Sequence, residues 1–125
     1  MSTVNVTSSE FAGVIIKGGI TFVDFWDGWC GPCKAFAPVF ENASIRYPEI
    51  NFVKVDTDAE LELAAAANIS SIPTLMAFRD GVLVFREPGA LSSPNFEELI
   101  QAVINLDMEV IKAEIAAESA KQNAE

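Results

Sequence analysis

The chain has 125 residues, half of them hydrophobic, with 7 glycines and 6 prolines, a composition typical of one globular domain that buries its own core. Its formal net charge of -10 disfavours nucleic acid and anionic lipid surfaces as partners, because both repel a negative field. A membrane span needs roughly 20 apolar residues in a row, and the longest apolar stretches, such as Leu63–Ala67, are far shorter.

The N-terminal region predicts a strand, a capped helix and a second strand. Val4–Val6 alternates like a short strand, and Thr7–Glu10 has the pattern of a capping box that opens a helix through about Lys17. After a Gly-Gly pair, Ile20–Trp26 is β-branched and aromatic without clean alternation, which predicts a central strand covered on both faces. The first residues lack the basic segment and the apolar core of a signal peptide, so we expect a cytoplasmic protein.

The middle of the chain predicts a long helix, a strand and a short helix. The long helix begins at the cysteines and ends near Arg46–Pro48, with an apolar face that runs from Ala35 to Ala43. Pro38 lies inside this helix and predicts a kink. Asn51–Val55 then predicts a strand, and Asp58–Ala67 predicts an alanine-rich helix.

The C-terminal part of the chain predicts a hairpin and a last helix. Thr74–Phe78 and Val82–Phe85 indicate two antiparallel strands joined across Arg79–Gly81. The last helix starts around Ser92–Asn95 and runs past Leu106. The resulting order of five strands and four helices indicates an α/β fold with a mixed sheet.

Beyond the predicted domain of residues 1–106, residues 107–125 form a helical extension. Ile104, Met108, Ile111 and Ile115 keep helical spacing before the sequence becomes polar and rich in alanine. This apolar stripe could fold back on its own domain, pair with a second copy or bind a partner. A frayed, solvated helix end is an equally good interpretation.

The two cysteines, Cys30 and Cys33, are separated by Gly31 and Pro32, and the chain has no histidine. A structural zinc site takes four ligands, usually cysteine or histidine, so zinc is close to excluded and no bound metal or cofactor is expected. A structural disulfide over so short a loop would contribute only about 2 kcal/mol, and a reducing cytosol would tend to open it. Reversible thiol chemistry remains.

The predicted position of Cys30 favours a nucleophilic role. A strand that turns directly into a helix at Trp29–Cys33 places Cys30 at the helix N-terminus, where free amide groups and the helix dipole favour a thiolate. Cys33 lies one turn further along the helix, close enough to attack a mixed disulfide between Cys30 and a substrate sulfur.

Several segments resemble those of the thioredoxin family, in the order in which that family carries them, as far as about Leu106. A Cys-x-x-Cys pair alone would be weak evidence, but five segments in order are specific. They are Val23–Trp26 followed by Trp29–Lys34, Lys54–Asp56, Ser71–Thr74, Phe78–Gly81 and Gly89–Leu91. The resemblance implies a thioredoxin fold, with a central mixed five-stranded sheet flanked by four helices.

The resemblance also implies where substrates bind. In this family the bond before Pro73 is cis and the turn faces the cysteines, so that the Ile72 backbone can pair with an extended substrate segment. The docking surface implied in this way is flat and weakly polar, and it consists of Trp29, Gly31, Pro32, Ile72, Pro73, Gly89 and Ala90. Ile-Pro-Thr could also be an ordinary strand start.

Asp24 stands in the middle of an apolar strand, where burial of an unpaired carboxylate favours its protonated form. The family resemblance implies that it accepts a proton from Cys33, whereas an Asp near a wet strand end is the simpler alternative. The resemblance places Lys54 on the neighbouring strand, where it would modulate the proton affinity of Asp24. An ordinary lysine that extends its ammonium group to solvent is nearly as good an interpretation.

The resemblance implies a protein-disulfide reductase with disulfide-containing proteins as substrates, recharged by a thioredoxin reductase that draws electrons from NADPH. Gly31 and Pro32 match the reducing members, and a monomer is expected. Asp27 and Gly28 depart from the family pattern, which commonly has an alanine followed by an acidic or small residue. The alternative is a binding module that uses the same surface to support a partner complex, with redox chemistry incidental. Such an adaptor would not need both cysteines, Asp24, Pro73 and a strand-helix setting for the nucleophile together.

Overall fold

A computed structural model describes residues 3–123. Residues 1–2 of the predicted domain and residues 124–125 of the predicted extension lie outside the described residues. The helices and strands follow in chain order: β1 Thr3–Asn5, α1 Ser8–Ile16, β2 Ile20–Trp26, α2 Gly31–Arg46, β3 Asn51–Asp56, α3 Leu61–Ala66, β4 Thr74–Arg79, β5 Val82–Pro88, α4 Ser93–Ile104 and α5 Met108–Asn123.

The sheet has five strands in the order β1-β3-β2-β4-β5, with β2 at its centre. β3 pairs with both β1 and β2 in parallel, whereas β4 pairs with β2 and β5 in antiparallel register. The predicted mixed five-stranded sheet is therefore confirmed. β2 ends where α2 begins, so the central strand delivers the cysteines to one edge of the sheet.

Both faces of β2 are covered, as its β-branched and aromatic run without clean alternation predicts. Phe22 packs with aromatic residues of α2 and α4 on one face. Val23 and Phe25 point to the other face, where they pack with apolar residues of α1 and α3. Since side chains alternate along a strand, Asp24 lies on the same face as Phe22, the face that α2 covers.

Helix α1 has the predicted capping box. The Glu10 carboxylate accepts hydrogen bonds from the Thr7 backbone N–H and the Thr7 hydroxyl, each at 2.9 Å. Gly18 and Gly19 follow the helix with φ angles of 86° and 71°, a left-handed conformation that glycine adopts without steric strain. The chain thus leaves α1 and enters β2 where the sequence predicts.

Helix α3 is shorter than predicted, because it begins at Leu61 rather than Asp58. The Asp56 carboxylate accepts hydrogen bonds from the backbone N–H groups of Asp58 and Ala59, at 2.9 and 3.3 Å. A side chain that binds nearby amides competes with helical hydrogen bonding and favours a turn. The residues before Leu61 therefore form turns.

The prediction that the last helix runs past Leu106 is wrong, because α4 ends at Ile104 and α5 begins at Met108. The Asp107 carboxylate accepts from the N–H groups of Glu109 and Val110, at 3.1 and 3.3 Å, as expected of a residue that caps a new helix. The break separates α5 from α4.

Arg79, at the end of β4, binds the peptide segment at this break. Its Nη1 donates to the carbonyl oxygens of Val103, Ile104 and Leu106, at 2.9, 3.0 and 2.8 Å. The last carbonyls of a helix have no partner within the helix, and a cation at that end also interacts favourably with the helix dipole. Arg79 therefore ties the end of α4 to the sheet.

Only the first turn of α5 is packed against the domain. Met108 is buried and Ile111 is half-buried, and the Lys112 ammonium lies 3.7 Å from the Asp80 carboxylate. From Lys112 to Gln122 every residue is exposed, including Ile115. The apolar stripe predicted from Ile104 to Ile115 thus folds back over its first part alone. Within residues 3–123, no helix has the length and apolar character needed to cross a membrane.

Candidate active site

Cys30 and Cys33 are joined by a disulfide at the start of α2, with their Cα atoms 5.2 Å apart. Cys30 is the N-cap residue, with extended backbone angles of φ -89° and ψ 113°, and Pro32 lies in the first turn. Proline is well suited to this turn because its missing N–H would have no partner there. The sequence therefore starts the helix at the disulfide.

The Cys30 sulfur occupies the position at which a helix N-terminus binds an electron-rich atom. The Cys33 backbone N–H donates to Cys30 Sγ, at 3.1 Å. A sulfur that accepts this hydrogen bond at the positive end of the helix dipole is better stabilised as a thiolate. The geometry agrees with the sequence prediction of Cys30 as the nucleophile.

The two sulfurs differ in access to solvent. Cys33 is only 3% exposed, whereas Cys30 is half-buried. Trp29, next to Cys30, is 89% exposed. A large partner can therefore reach Cys30 directly, while Cys33 is covered from that side.

The loop before Cys30 is held at two points. The Trp26 carbonyl accepts from both the N–H and the hydroxyl of Thr57, at 2.8 and 3.0 Å. Within the loop, the Asp27 carboxylate accepts from the Trp29 N–H, at 2.8 Å. Asp27 thus fixes the backbone of the exposed Trp29. The family pattern commonly has alanine where this chain has Asp27.

The turn at Ile72 and Pro73 lies beside the cysteines. Their peptide bond is cis, as the family resemblance implies, and the Ile72 carbonyl oxygen lies 3.6 Å from Cys30 Sγ. The Gly89 N–H donates to the Pro73 carbonyl, at 2.7 Å, which brings the end of β5 to the same turn. Cys30 and the end of β5 therefore both contact the turn at Ile72 and Pro73.

The remaining docking-surface residues lie on these same segments. Gly31, Pro32 and Ala90 are exposed, and Gly89 is exposed at the end of β5. Ile72 is half-buried and Pro73 is buried. The structure joins Ile72 to Cys30 and Pro73 to Gly89 by direct contacts, while the role of all these residues in substrate binding stays a prediction.

Asp24 is buried within the face of β2 that α2 covers. It is 1% exposed, and among residues 3–123 its Oδ1 has no hydrogen-bond partner. Burial raises the pKa of Asp24 from 3.8 to about 6, and the charge of Lys54 partly opposes this rise. A carboxyl group with a pKa near neutrality can both accept and release a proton at cellular pH.

Lys54 lies on β3, the strand next to β2, as the family resemblance implies, and the strand register places it directly opposite Asp24. Its ammonium group is 4.6 Å from the ring centroid of Trp26, which is within the range of a cation–π contact. Lys54 thus has a defined position opposite Asp24, and its role in tuning the proton affinity of that carboxyl stays a prediction.

Sequence reasoning missed several residues that hold these segments in place. Thr57 binds the Trp26 carbonyl, Thr74 Oγ1 donates to the Ser71 carbonyl at 2.6 Å, and Arg86 donates to the carbonyls of Ala67 and Asn68. Thr74 lies in a segment that resembles the family, which could have drawn attention to it. Thr57 and Arg86 bind distant backbone atoms, which no local sequence pattern reveals.

Comparison with known proteins shows similarity to thioredoxins over most of the chain. The family model described as Thioredoxin matches residues 2–105. The chain is 43% identical over 120 residues to "Putative thioredoxin 2" of Streptomyces coelicolor, covering 96% of this chain and 90% of that protein. It is 40% identical over 84 residues to "Thioredoxin-1" of Saccharomyces cerevisiae, covering 67% of this chain and 82% of that protein.

Solved structures show the same architecture. The solution structure of oxidised thioredoxin from Plasmodium falciparum matches with a TM-score of 0.73 and 38% identity, covering 82% of this chain and 98% of that chain. Mitochondrial thioredoxin 3 from Saccharomyces cerevisiae, in its oxidised form, matches with a TM-score of 0.73 and 30% identity, covering 81% and 95%. The Streptomyces match is long enough to include most of α5 as well.

Proposed function

This chain belongs to the thioredoxin family and is a thiol-disulfide oxidoreductase, and from that premise we propose how its own residues reduce disulfide bonds in other proteins. One observation carries the proposal. Cys30 Sγ accepts the Cys33 N–H at the start of α2 and also lies 3.6 Å from the Ile72 carbonyl. The proposed nucleophile and the proposed substrate-binding turn are therefore adjacent.

The first step is attack on the substrate. In the reduced protein, the Cys30 thiolate attacks one sulfur of a substrate disulfide; a Cys30–substrate bond forms, and the substrate S–S bond breaks. The other substrate sulfur leaves as a thiolate and takes a proton from solvent. The hydrogen bond from the Cys33 N–H supports the reactive thiolate before this step.

The second step releases the substrate. The Cys33 thiol gives its proton to the Asp24 carboxylate, and the resulting thiolate attacks Cys30 Sγ. The Cys30–Cys33 bond forms, the second substrate sulfur leaves as a thiolate, and two electrons have passed to the substrate. Asp24 suits this role because its pKa of about 6 leaves it mostly ionised at neutral pH and still basic enough to take a proton.

The docking surface is proposed to bind extended segments of varied sequence. Its members carry no charge, and Trp29 is exposed beside Cys30. Main-chain pairing at Ile72 would give affinity without demanding particular substrate side chains. Unfolded or exposed disulfide segments are therefore the proposed substrate class.

The cellular setting is also proposed. After each turnover the disulfide would be reduced again by a thioredoxin reductase with electrons from NADPH, and the protein would act in the cytoplasm in electron transport and redox homeostasis. We propose residues 1–106 as the catalytic domain and residues 107–125 as an appended segment. A monomer is proposed, since the first turn of α5 packs on its own domain.

Insulin reduction with dithiothreitol as electron donor tests the mechanism. We expect the wild type to accelerate the reaction and Cys30→Ser and Cys33→Ser to lose that acceleration. Cys33→Ser should also accumulate a mixed disulfide with the substrate, which Cys30→Ser cannot form. If the wild type were no faster than either variant, the reductase mechanism would be wrong and the binding-module alternative would be favoured.

Light scattering coupled to size-exclusion chromatography tests the monomer. The full chain and a version that ends at Leu106 should both have the mass of one chain. A dimer of the full chain that disappears on truncation would show instead that α5 pairs with a second copy.

A further inference from the structure

The docking loop, residues Ala67–Pro73, connects α3 to β4. It ends at the turn that places the Ile72 carbonyl 3.6 Å from Cys30 Sγ. Displacements of about 1 Å at a reacting centre can lower rates by two orders of magnitude. Whatever holds the docking loop therefore bears on how substrates meet Cys30.

The far end of the docking loop is tied to its surroundings by two hydrogen bonds. The Gly89 N–H at the end of β5 donates to the Pro73 carbonyl, at 2.7 Å, and Thr74 Oγ1 donates to the Ser71 carbonyl, at 2.6 Å. These bonds fix the two residues that flank Ile72. They leave open what holds the beginning of the loop.

At the near end, a side chain of β5 binds the docking loop in addition to the backbone hydrogen bonds that follow α3. Arg86 donates from Nη1 to the Ala67 carbonyl, at 2.6 Å, and from Nη2 to the Asn68 carbonyl, at 2.8 Å. Two adjacent carbonyls are thus gripped by the two terminal nitrogens of one rigid guanidinium group. Asn68 has a φ of 55°, so the chain changes direction where Arg86 binds it.

The position of Arg86 also suits its charge. Ala67 is the C-cap residue of α3, and a cation near the carbonyl end of a helix interacts favourably with the helix dipole. Arg86 is exposed, and it lies opposite Met76 in the β4–β5 register. It therefore adds little to the core, while β5 binds the docking loop at both ends, through Arg86 and through Gly89.

We propose that Arg86 is a positioning residue for disulfide reduction: by clamping the carbonyls of Ala67 and Asn68, it fixes the docking loop and so places the Ile72 backbone for substrate pairing. The inference rests on the proposed function. It assigns Arg86 no contact with substrate or with the sulfurs. Loss of the clamp should weaken substrate binding and leave the exchange chemistry of Cys30 and Cys33 intact.

The test uses the full chain and compares Arg86→Gln with Arg46→Gln. Arg46 is a suitable control because it is also exposed and also bonded, to Glu97 at 2.9 Å, but it lies at the end of α2. We expect Arg86→Gln to raise KM for insulin by about threefold to tenfold, the range for loss of the net contribution of an ordinary hydrogen bond, since the clamp is exposed to water. kcat should stay within about twofold of the wild type, since only binding is affected. Arg46→Gln should leave both constants unchanged.

A conservative variant separates positioning from general stability. Arg86→Lys keeps the charge and can reach one of the two carbonyls, so its KM should fall between those of the wild type and Arg86→Gln. A merely structural role would lower the thermal midpoint of Arg86→Gln without changing KM. That result, or a KM equal to that of Arg46→Gln, would overturn the proposal.

Amide hydrogen exchange measures the clamp without any substrate. The N–H groups of Asn68 and Ile69 bond to the carbonyls of Ala65 and Ala64, at 3.1 and 3.0 Å. Arg86→Gln should speed their exchange by about threefold to tenfold, and Arg46→Gln should not. Unchanged exchange overturns the clamp. A wild type inactive on insulin, with exchange altered as expected, would count against the reductase function alone.

Discussion

Asp24 and Lys54 face each other across the parallel pair of β2 and β3. Burial raises the pKa of the Asp24 carboxyl, and the charge of Lys54 offsets part of that rise. Their side chains lie on the same face of the sheet, the one that α2 covers, because Phe22 and Phe52 occupy the preceding positions of the same alternation. The central strand therefore carries a titratable group beneath the helix that bears the cysteines.

Asp24→Asn should stabilise the protein in a pH-dependent way. Burial raises the pKa of the Asp24 carboxyl to about 6. The contribution of this carboxyl to the free energy of unfolding is therefore fully present below the ordinary pKa of Asp and is lost as pH rises through about 6. Above that pH the buried carboxylate is ionised, and asparagine avoids this penalty. Urea unfolding should show the variant more stable by about 3 kcal/mol near pH 8, with little difference near pH 4. An equal difference at both pH values would contradict this origin.

The same variant should slow release of the substrate. Asparagine cannot accept the Cys33 proton, so resolution of the mixed disulfide should slow by about tenfold or more at neutral pH, while the first attack by Cys30 changes less. Single-turnover kinetics with a disulfide peptide separate the two steps. Glu118→Gln, which removes a charge from the exposed part of α5, is the control. Unchanged resolution in Asp24→Asn would remove Asp24 from the mechanism.

Lys54→Met should move the pH dependence of resolution upward. The lysine charge lowers the pKa of Asp24, so its removal should raise that pKa above about 6. The midpoint of the rate against pH should rise accordingly, while Lys54→Arg keeps the charge and should retain the midpoint of the wild type. A midpoint that stays the same in Lys54→Met would show that the two groups are not coupled.

Arg79→Met should loosen the end of α4. The change removes the donor to the carbonyls of Val103, Ile104 and Leu106, and unpaired carbonyls that are partly buried reduce stability. The free energy of unfolding in urea should fall by about 1–3 kcal/mol. Arg79→Lys can still donate to some of these carbonyls, so its loss should be smaller. Equal stability of Arg79→Met and the wild type would mean that water replaces the side chain without penalty.

Much of the fold follows from local sequence patterns. The β-branched and aromatic run of Ile20–Trp26 identified the buried central strand, and the spacing of Thr7 and Glu10 identified the start of α1. The Cys-Gly-Pro-Cys segment after that strand placed the site at a helix N-terminus. Each of these signals lies within a few residues along the chain.

The missed features depend on contacts between distant residues. Arg86 binds backbone atoms 18 and 19 positions away, and Arg79 binds carbonyls 24 to 27 positions away. Such hydrogen bonds form only once the strands are in register, so neither hydrophobic periodicity nor secondary-structure propensity predicts them. The break between α4 and α5 was different, since Asp107 before the Met108 turn is a recognisable capping signal that the continuous apolar spacing obscured.

The burial of Cys33 determines how the reduced protein meets oxidants. A peroxide arriving from solvent reaches Cys30 first, because Cys33 is only 3% exposed, and converts its thiolate to a sulfenic acid. With the two Cα atoms 5.2 Å apart, the neighbouring thiol can condense with that sulfenic acid, releasing water and forming a disulfide before further oxidation becomes irreversible. The product is the same Cys30–Cys33 bond that normal turnover leaves. The buried Cys33 thiol therefore both releases substrates and protects Cys30 from irreversible oxidation.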